Sequence, residues 1–116
     1  MPLPTNKERC EAYLNSYAAK DIAAIDDIFA ENIVLRDWKI RVVGKPLALE
    51  ETQKNFDAVD HLKIDILATY ESDDTVAAEL RILIDGSEEL YVTDVITFNT
   101  EGKISSIRAY VGRGDN

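Results

Sequence analysis

Cysteine and histidine are nearly absent from the sequence, which has 116 residues and one of each. A lone Cys10 cannot form a disulfide within the chain. A lone His61 leaves no cluster of Cys and His side chains of the kind that holds zinc. We therefore expect neither a disulfide framework nor a metal site.

Positive charge is also scarce, since 13 Lys and Arg residues stand against 22 Asp and Glu residues. The formal net charge is -9 and the isoelectric point is about 4.5. A field of this sign repels phosphate backbones and anionic lipid surfaces. Nucleic acids and membranes are therefore not expected as partners.

Long apolar runs are missing as well. No stretch approaches the roughly 20 apolar residues of a membrane-spanning helix, and the N-terminus lacks the basic-then-apolar order of a signal peptide. We therefore expect a cytoplasmic protein.

The composition and length of the chain are those of one globular domain. The chain has 46% hydrophobic and 30% charged residues without low-complexity runs, and its length predicts a single domain over residues 1–116.

Three helices are predicted from capping residues and apolar spacing. Thr5 and Glu8 have the spacing of a capping box, which starts a helix with an inward stripe of Cys10, Tyr13, Leu14 and Tyr17. Asp21 can cap a second helix, whose stripe is Ile22, Ile25, Ile28 and Phe29. Pro46 suits the first turn of a third helix that runs to about Phe56.

The rest of the sequence predicts a sheet. Two short strands are expected over residues 32–38 and 39–43, and four long antiparallel strands follow the third helix. Asp85-Gly86 and Glu101-Gly102 are turn signals between the last three strands. This order predicts an α+β fold in which helices pack on one face of a curved sheet, and the inward face of the sheet becomes the wall of a pocket.

Asp94 interrupts an otherwise apolar row in the strand over residues 90–98. Its strand neighbours of the same parity are Leu90, Val92, Ile96 and Phe98. A carboxyl group in such a row must find donors, open onto a wet cavity, or keep its proton through a raised pKa. Alternatively, the strand is an edge and Asp94 reaches water or caps a backbone amide.

Two further polar side chains have inward positions. Tyr13 lies on the apolar stripe of the first helix, where core packing is the ordinary role of a tyrosine. Asp37 ends a row that begins with Ile33 and Leu35, and an aspartate at the mouth of a turn is common. Either residue is open to a structural or a functional interpretation.

Three segments together resemble the bacterial ketosteroid isomerases, within the NTF2-like (SnoaL-like) superfamily. They are Tyr13-Leu14 with Lys20-Asp21-Ile22, then Phe29-Ala30-Glu31-Asn32 to Arg36-Asp37, and Thr93-Asp94-Val95-Ile96-Thr97-Phe98 with Gly102-Lys103-Ile104 and Ala109-Tyr110. The resemblance covers residues 8–112. It implies an NTF2-like cone, with a curved antiparallel sheet wrapped around the N-terminal helices and a third helix.

The resemblance also implies a chemistry. Asp37 would be the base that removes a carbon-bound proton, while Tyr13 and a protonated Asp94 would donate hydrogen bonds to the enolate oxygen. No cofactor is needed, so none is expected. The implied substrate pocket consists of Trp38, Phe56, Leu80, Ile82, Leu90, Val92, Ile96, Ile107, Ala109 and Val111. The sequence departs from the isomerases at Trp38, where they usually have proline, and at Thr52, where they offer a further tyrosine.

The resemblance therefore predicts an isomerase-like enzyme that binds a small hydrophobic carbonyl compound. A polyketide cyclase-like enzyme and a non-catalytic module for ligand binding or dimerisation are the alternatives. A homodimer is expected through the semi-apolar outer sheet face, because such patches mark interfaces and the superfamily commonly shows this assembly. That face carries Tyr91, Thr93, Val95, Thr97, Arg108 and Tyr110.

Overall fold

The computed structural model describes residues 3–114, which form three helices and one six-stranded sheet. The helices are α1 (Asn6–Ala18), α2 (Ile22–Ile28) and α3 (Lys45–Asp57). The strands are β1 (Phe29–Arg36), β2 (Arg41–Val43), β3 (Leu62–Ser72), β4 (Thr75–Ile84), β5 (Glu88–Phe98) and β6 (Ile104–Val111). The predicted α+β architecture is confirmed.

The predicted helix starts are confirmed by their capping contacts. The Thr5 hydroxyl accepts a bond from the Glu8 amide at 3.1 Å, and the Glu8 carboxylate accepts one from the Thr5 amide at 2.8 Å. The Asp21 carboxylate accepts a bond of 3.2 Å from a first-turn amide of α2. Before α3, Gly44 adopts a φ of 97°, a conformation that glycine tolerates, and Pro46 lies in the first turn.

The strand order in the sheet is β2-β1-β6-β5-β4-β3. The four long strands pair antiparallel, as predicted. The sheet as a whole is mixed, however, because β1 and β6 run in the same direction and pair parallel.

Strand β1 begins at Phe29, before the predicted start at residue 32. Phe29 was expected on the stripe of α2, but its backbone is already extended and its side chain is buried in the core.

The Asp85-Gly86 hairpin is confirmed and ties β4 to the start of β3. Both residues have positive φ, 52° and 77°, as a tight turn of this kind requires. The Asp85 carboxylate accepts bonds from the backbone amides of Asp60 and His61 at 2.8 and 2.9 Å. These two amides lower the pKa of the Asp85 carboxyl. The hairpin therefore fixes the end of the sheet that leads into β5.

The core lies between the helices and the inner face of the sheet. Helix α1 packs on β3 and β4, whereas α3 packs on β1, β2 and α2. The alternation predicted for β5 is confirmed, because Val92, Asp94, Ile96 and Phe98 are buried while the residues between them are half-buried. Asp94 is therefore a carboxyl group on the inner face of the sheet.

Candidate functional site

A cavity of about 440 Å³ lies between the helices and the inner face of the sheet. Helices α1 and α3 form one side, the turn between β1 and β2 forms part of the mouth, and β3 to β6 form the wall. Most of the lining is aliphatic. Its polar side chains include Tyr13, Tyr17, Asp37, Thr52, Asn55 and Asp94. The structure thus brings Tyr13, Asp37 and Asp94 to one cavity.

Asp94 opens onto this cavity because its neighbours in the sheet are small. It pairs with Ala78 on β4 and with Ala109 on β6, whose side chains are single methyl groups. The residue is 9% exposed, and its carboxyl has no hydrogen-bond partner among residues 3–114. A carboxyl group in this position faces the cavity and loses most of its hydration.

Burial raises the pKa of Asp94 to about 7, and the negative charge of Asp37 acts in the same direction. At neutral pH the carboxyl therefore holds its proton in a large fraction of molecules. A protonated carboxylic acid can donate a hydrogen bond, which a carboxylate cannot. In its protonated form, Asp94 is thus a hydrogen-bond donor on the wall of a mainly aliphatic cavity.

Tyr13 is buried on α1 and supplies a second donor. Burial raises the pKa of its hydroxyl well above 10, with a further contribution from the charge of Asp94. The ring is held by Phe29 and Tyr17, each with its ring centroid 6.0 Å away. A hydroxyl that stays protonated on a fixed ring is a preorganised hydrogen-bond donor.

Asp37 follows β1 directly and lies at the cavity mouth, where it is half-buried. Its Oδ1 atom accepts bonds from the backbone amides of Lys39 and Ile40 at 2.7 and 2.8 Å. The turn interpretation of the sequence is therefore correct, and the residue also lines the cavity. Both amides bond to the same carboxylate oxygen, and the other oxygen has no hydrogen-bond partner among the described residues.

Arg36 lies beside Asp37 in the sequence but turns to the outer face of the sheet. Its guanidinium donates to the Tyr110 hydroxyl at 2.6 Å and lies 4.7 Å from the centroid of the Tyr110 ring. The guanidinium thus has its partner on the opposite side of the sheet from the cavity.

Most of the expected wall residues contact the cavity, and three do not. Those that line it are Trp38, Leu80, Ile82, Leu90, Val92, Ile107 and Ala109. Phe56 is buried behind Tyr17, with the two ring centroids 4.9 Å apart, and Ile96 is fully buried further along β5. Val111 ends β6 outside the cavity, where it is 43% exposed beside a shallow groove on the outer face. The structure therefore does not place these three side chains on the cavity, where the sequence led us to expect them.

Several cavity residues were not predicted as site residues. The polar ones include Tyr17 and Asn55, and the Asn55 amide donates to the Tyr17 hydroxyl at 3.1 Å. Tyr17 follows Tyr13 by one helical turn on the same stripe, which is the signal that could have identified it. Asn55 follows Thr52 by the same kind of spacing on α3. Its position was not apparent without knowing which side of α3 faces the cavity.

Within residues 3–114, no group of three or more His, Cys, Asp or Glu side chains is placed to hold a metal ion. No helix in the same range is long and apolar enough to cross a membrane.

A known protein family matches most of the sequence. The sequence model of the SnoaL-like domain family matches residues 10–107. A SnoaL-like protein of unknown function from Burkholderia thailandensis is 16% identical, with a TM-score of 0.83 over 97% of this chain and 100% of that chain. No match was found among curated proteins.

Two further solved structures carry names that refer to an activity. A proposed ketosteroid isomerase from Kribbella flavida is 12% identical, with a TM-score of 0.81 over 96% of this chain and 80% of that chain. The epoxide hydrolase/cyclase-like enzyme SalBIII, from pyran ring formation in salinomycin, is 24% identical, with a TM-score of 0.80 over 92% and 90% of the two chains. At these identities the likeness establishes the shared fold.

Proposed function

Because the chain belongs to the SnoaL-like domain family, we propose that its cavity is the active site of a cofactor-independent isomerase for a small apolar carbonyl compound. The observation that carries this proposal is the contrast between its two aspartates. Asp94 is buried with its pKa raised to about 7, while Asp37 lies at the mouth with backbone amides bound to its carboxylate. Two carboxyls with different environments can act as acid and base at the same pH.

The proposed reaction moves a double bond next to a carbonyl group. Asp37 removes a proton from carbon and later returns it to another carbon, so the base is regenerated. Between these steps the substrate is an enolate, whose oxygen accepts hydrogen bonds from the Tyr13 hydroxyl and the protonated Asp94. Donors fixed in a water-poor cavity stabilise this charge more than water would. This division of roles is that of ketosteroid isomerases.

A phenol resembles the enolate, and its binding tests the two donors. At pH 6 the Asp94→Asn variant should bind 4-ethylphenol nearly as well as the wild type, because the amide still donates. Asp94→Leu should weaken binding by about 10- to 100-fold, the value of a hydrogen bond to a group with anionic character. Trp38, the one tryptophan of the chain, lines the mouth and provides a fluorescence signal for the titration.

Equal binding by Asp94→Asn and Asp94→Leu would show that Asp94 does not donate to the ligand. A wild type that binds no phenol would remove the oxyanion site from the proposal altogether.

Opening of an epoxide is a second candidate function, supported by the same pair of carboxyls. Protonated Asp94 would donate its proton to the epoxide oxygen, while Asp37 accepts the proton of the attacking water or alcohol. The likeness to SalBIII adds support at the level of the fold. The two candidates are separated by incubating the protein with a β,γ-unsaturated ketone and with an epoxide of similar size. A module that only binds ligands would transform neither.

We also propose that two copies of the chain associate through the outer sheet face. Leu67, Tyr70 and Tyr110 are 54%, 58% and 46% exposed, and Tyr110 stacks with Arg36 there. Exposed apolar patches of this kind mark interfaces. Sedimentation at micromolar concentration should give a dimer.

A charge introduced into the patch should disrupt this dimer. We expect Leu67→Glu to sediment as a monomer and Leu47→Glu to remain a dimer. Leu47 is similarly exposed, at 49%, but lies on α3 away from the outer sheet face, so it is a matched control. A monomeric wild type would contradict the assembly.

A further inference from the structure

Tyr17 and Asn55 form a second polar pair in the cavity, to which the chemistry above gives no role. Tyr17 lies one turn after Tyr13 on α1, and Asn55 reaches it from α3. Tyr13 is buried, Tyr17 is half-buried and Asn55 is exposed. The pair therefore lies closer to solvent than the donor pair of Tyr13 and Asp94.

The Tyr17 hydroxyl presents a donor to the cavity. It accepts a bond from the Asn55 amide, so its own proton remains available to donate. Burial raises the pKa of Tyr17, the Asn55 bond acts in the opposite direction, and the charges of Asp94 and Asp37 raise the pKa further. The hydroxyl is thus protonated at neutral pH. Its ring is held edge-on against Phe56 and Tyr13, which fixes the position of the donor.

A purely hydrocarbon substrate body would fit this part of the cavity poorly. Apolar atoms that cover the Tyr17 hydroxyl would prevent it from donating a hydrogen bond to water and would offer no acceptor in exchange. The loss of this hydrogen bond costs free energy. An oxygen atom in the substrate at this point would restore the bond. The ring centroids of Tyr13 and Tyr17 are 6.0 Å apart, so this oxygen would lie a few carbon atoms from the one held by Tyr13.

We infer that Tyr17 binds a second oxygen of the substrate, and that the substrate is an oxygenated ketone with a hydroxyl or carbonyl group besides the reacting carbonyl. Asn55 acts as a positioning residue, because its amide donates to the Tyr17 hydroxyl and thereby orients it. The inference rests on the proposed function, because it takes the first oxygen to be held by Tyr13 and Asp94.

The test compares two phenols of nearly equal size and acidity. In 4-hydroxybenzyl alcohol a hydroxyl replaces the terminal methyl group of 4-ethylphenol, and the corresponding 3-substituted pair covers a second geometry. We define the selectivity as the ratio of the 4-ethylphenol Kd to the 4-hydroxybenzyl alcohol Kd, and likewise for the 3-substituted pair. Tyr17→Phe should lower the selectivity by about two- to tenfold in at least one pair, the value of one net hydrogen bond.

The selectivity distinguishes the loss of a hydrogen bond to the ligand from a change in the packing of the cavity. A structural effect of Tyr17→Phe would change both affinities together, because the two probes occupy the same volume. Asn55→Leu keeps the branched shape of the side chain but cannot donate, and it should lower the selectivity in the same direction by a smaller factor. Tyr70→Phe removes a hydroxyl that bonds to Glu79 on the outer face, and it should leave the selectivity unchanged.

The outcomes distinguish this inference from the proposed function. An unchanged selectivity in Tyr17→Phe, with both probes bound and both weakened by Asp94→Leu, would overturn the inference and leave the proposed function intact. A wild type that binds none of the four phenols would overturn both. A selectivity lost in Tyr17→Phe and retained in Tyr70→Phe would support the second oxygen site.

Discussion

Replacing Asp37 by asparagine should slow the turnover of a β,γ-unsaturated ketone by about 10²- to 10⁴-fold, the usual contribution of a general base. The amide cannot accept the carbon-bound proton. Its side-chain oxygen can still accept the bonds that the Lys39 and Ile40 amides give to Asp37, so the turn should keep its shape. The loss should therefore appear in kcat while phenol binding persists.

The comparison of phenol binding requires a controlled pH. The charge of Asp37 is one cause of the raised pKa of Asp94, so Asp37→Asn should lower that pKa. Titrations at pH 5.5, where Asp94 retains more of its proton, reduce this side effect. Asp27→Asn makes the same change of charge at an exposed position on α2 and should keep full activity.

Two results would count against Asp37 as the base. If Asp37→Asn lost phenol binding and turnover together, the residue would be maintaining the shape of the mouth. If the wild type bound phenols without transforming ketones or epoxides, the cavity would belong to a ligand-binding module, and Asp37→Asn would have little effect on it.

The parts of the site that the sequence predicted depend on local periodicity. Alternation in β5 placed Asp94 on the inner face, and helical spacing placed Tyr13 on the inner side of α1. Both assignments hold because the direction of the side chains repeats regularly along a strand and along a helix. The position of Asp37 followed from the end of a strand, which is a local property too.

The parts that the sequence did not predict depend on distances between elements. Ile96 and Ala109 lie on the same face of the sheet, but only Ala109 reaches the cavity, because Ile96 lies further along β5 among core side chains. The parallel pairing of β1 with β6 and the contact of Asn55 with Tyr17 also join segments far apart in the chain. Periodicity gives the face of a residue and leaves its depth and its partners undetermined.

The raised pKa of Asp94 should make the stability of the protein depend on pH in a way that a single substitution removes. An unfolded aspartate titrates near 3.8, whereas the buried Asp94 titrates at about 7. Between these values the folded state binds the proton that the unfolded state has lost. The contribution of Asp94 to stability is therefore complete below pH 3.8 and falls as the pH rises towards 7.

The Asp94→Asn variant has no proton to lose at this position, so the difference in unfolding free energy between the variant and the wild type isolates the effect. With roughly three pH units between the two pKa values and about 1.4 kcal/mol for each, the variant should gain up to about 4 kcal/mol relative to the wild type between pH 4 and pH 8. The groups on α1 that face Asp94 do not titrate in this range, because burial raises the pKa of Cys10 to about 12 and the pKa values of Tyr13 and Tyr17 are also raised. Urea unfolding at a series of pH values measures the difference.

Asp85 provides a control of opposite sign. Backbone amides lower its pKa, so its stabilisation is present above the unfolded pKa and is lost as the pH falls through the lower folded value. Asp85→Asn should therefore be less stable than the wild type at neutral pH and approach it on acidification, whereas Asp94→Asn should diverge from the wild type as the pH rises. A constant difference between Asp94→Asn and the wild type from pH 5 to pH 8 would mean that Asp94 is ionised in the folded protein throughout that range. An ionised Asp94 could not donate to an enolate, and the oxyanion site would then consist of Tyr13 alone.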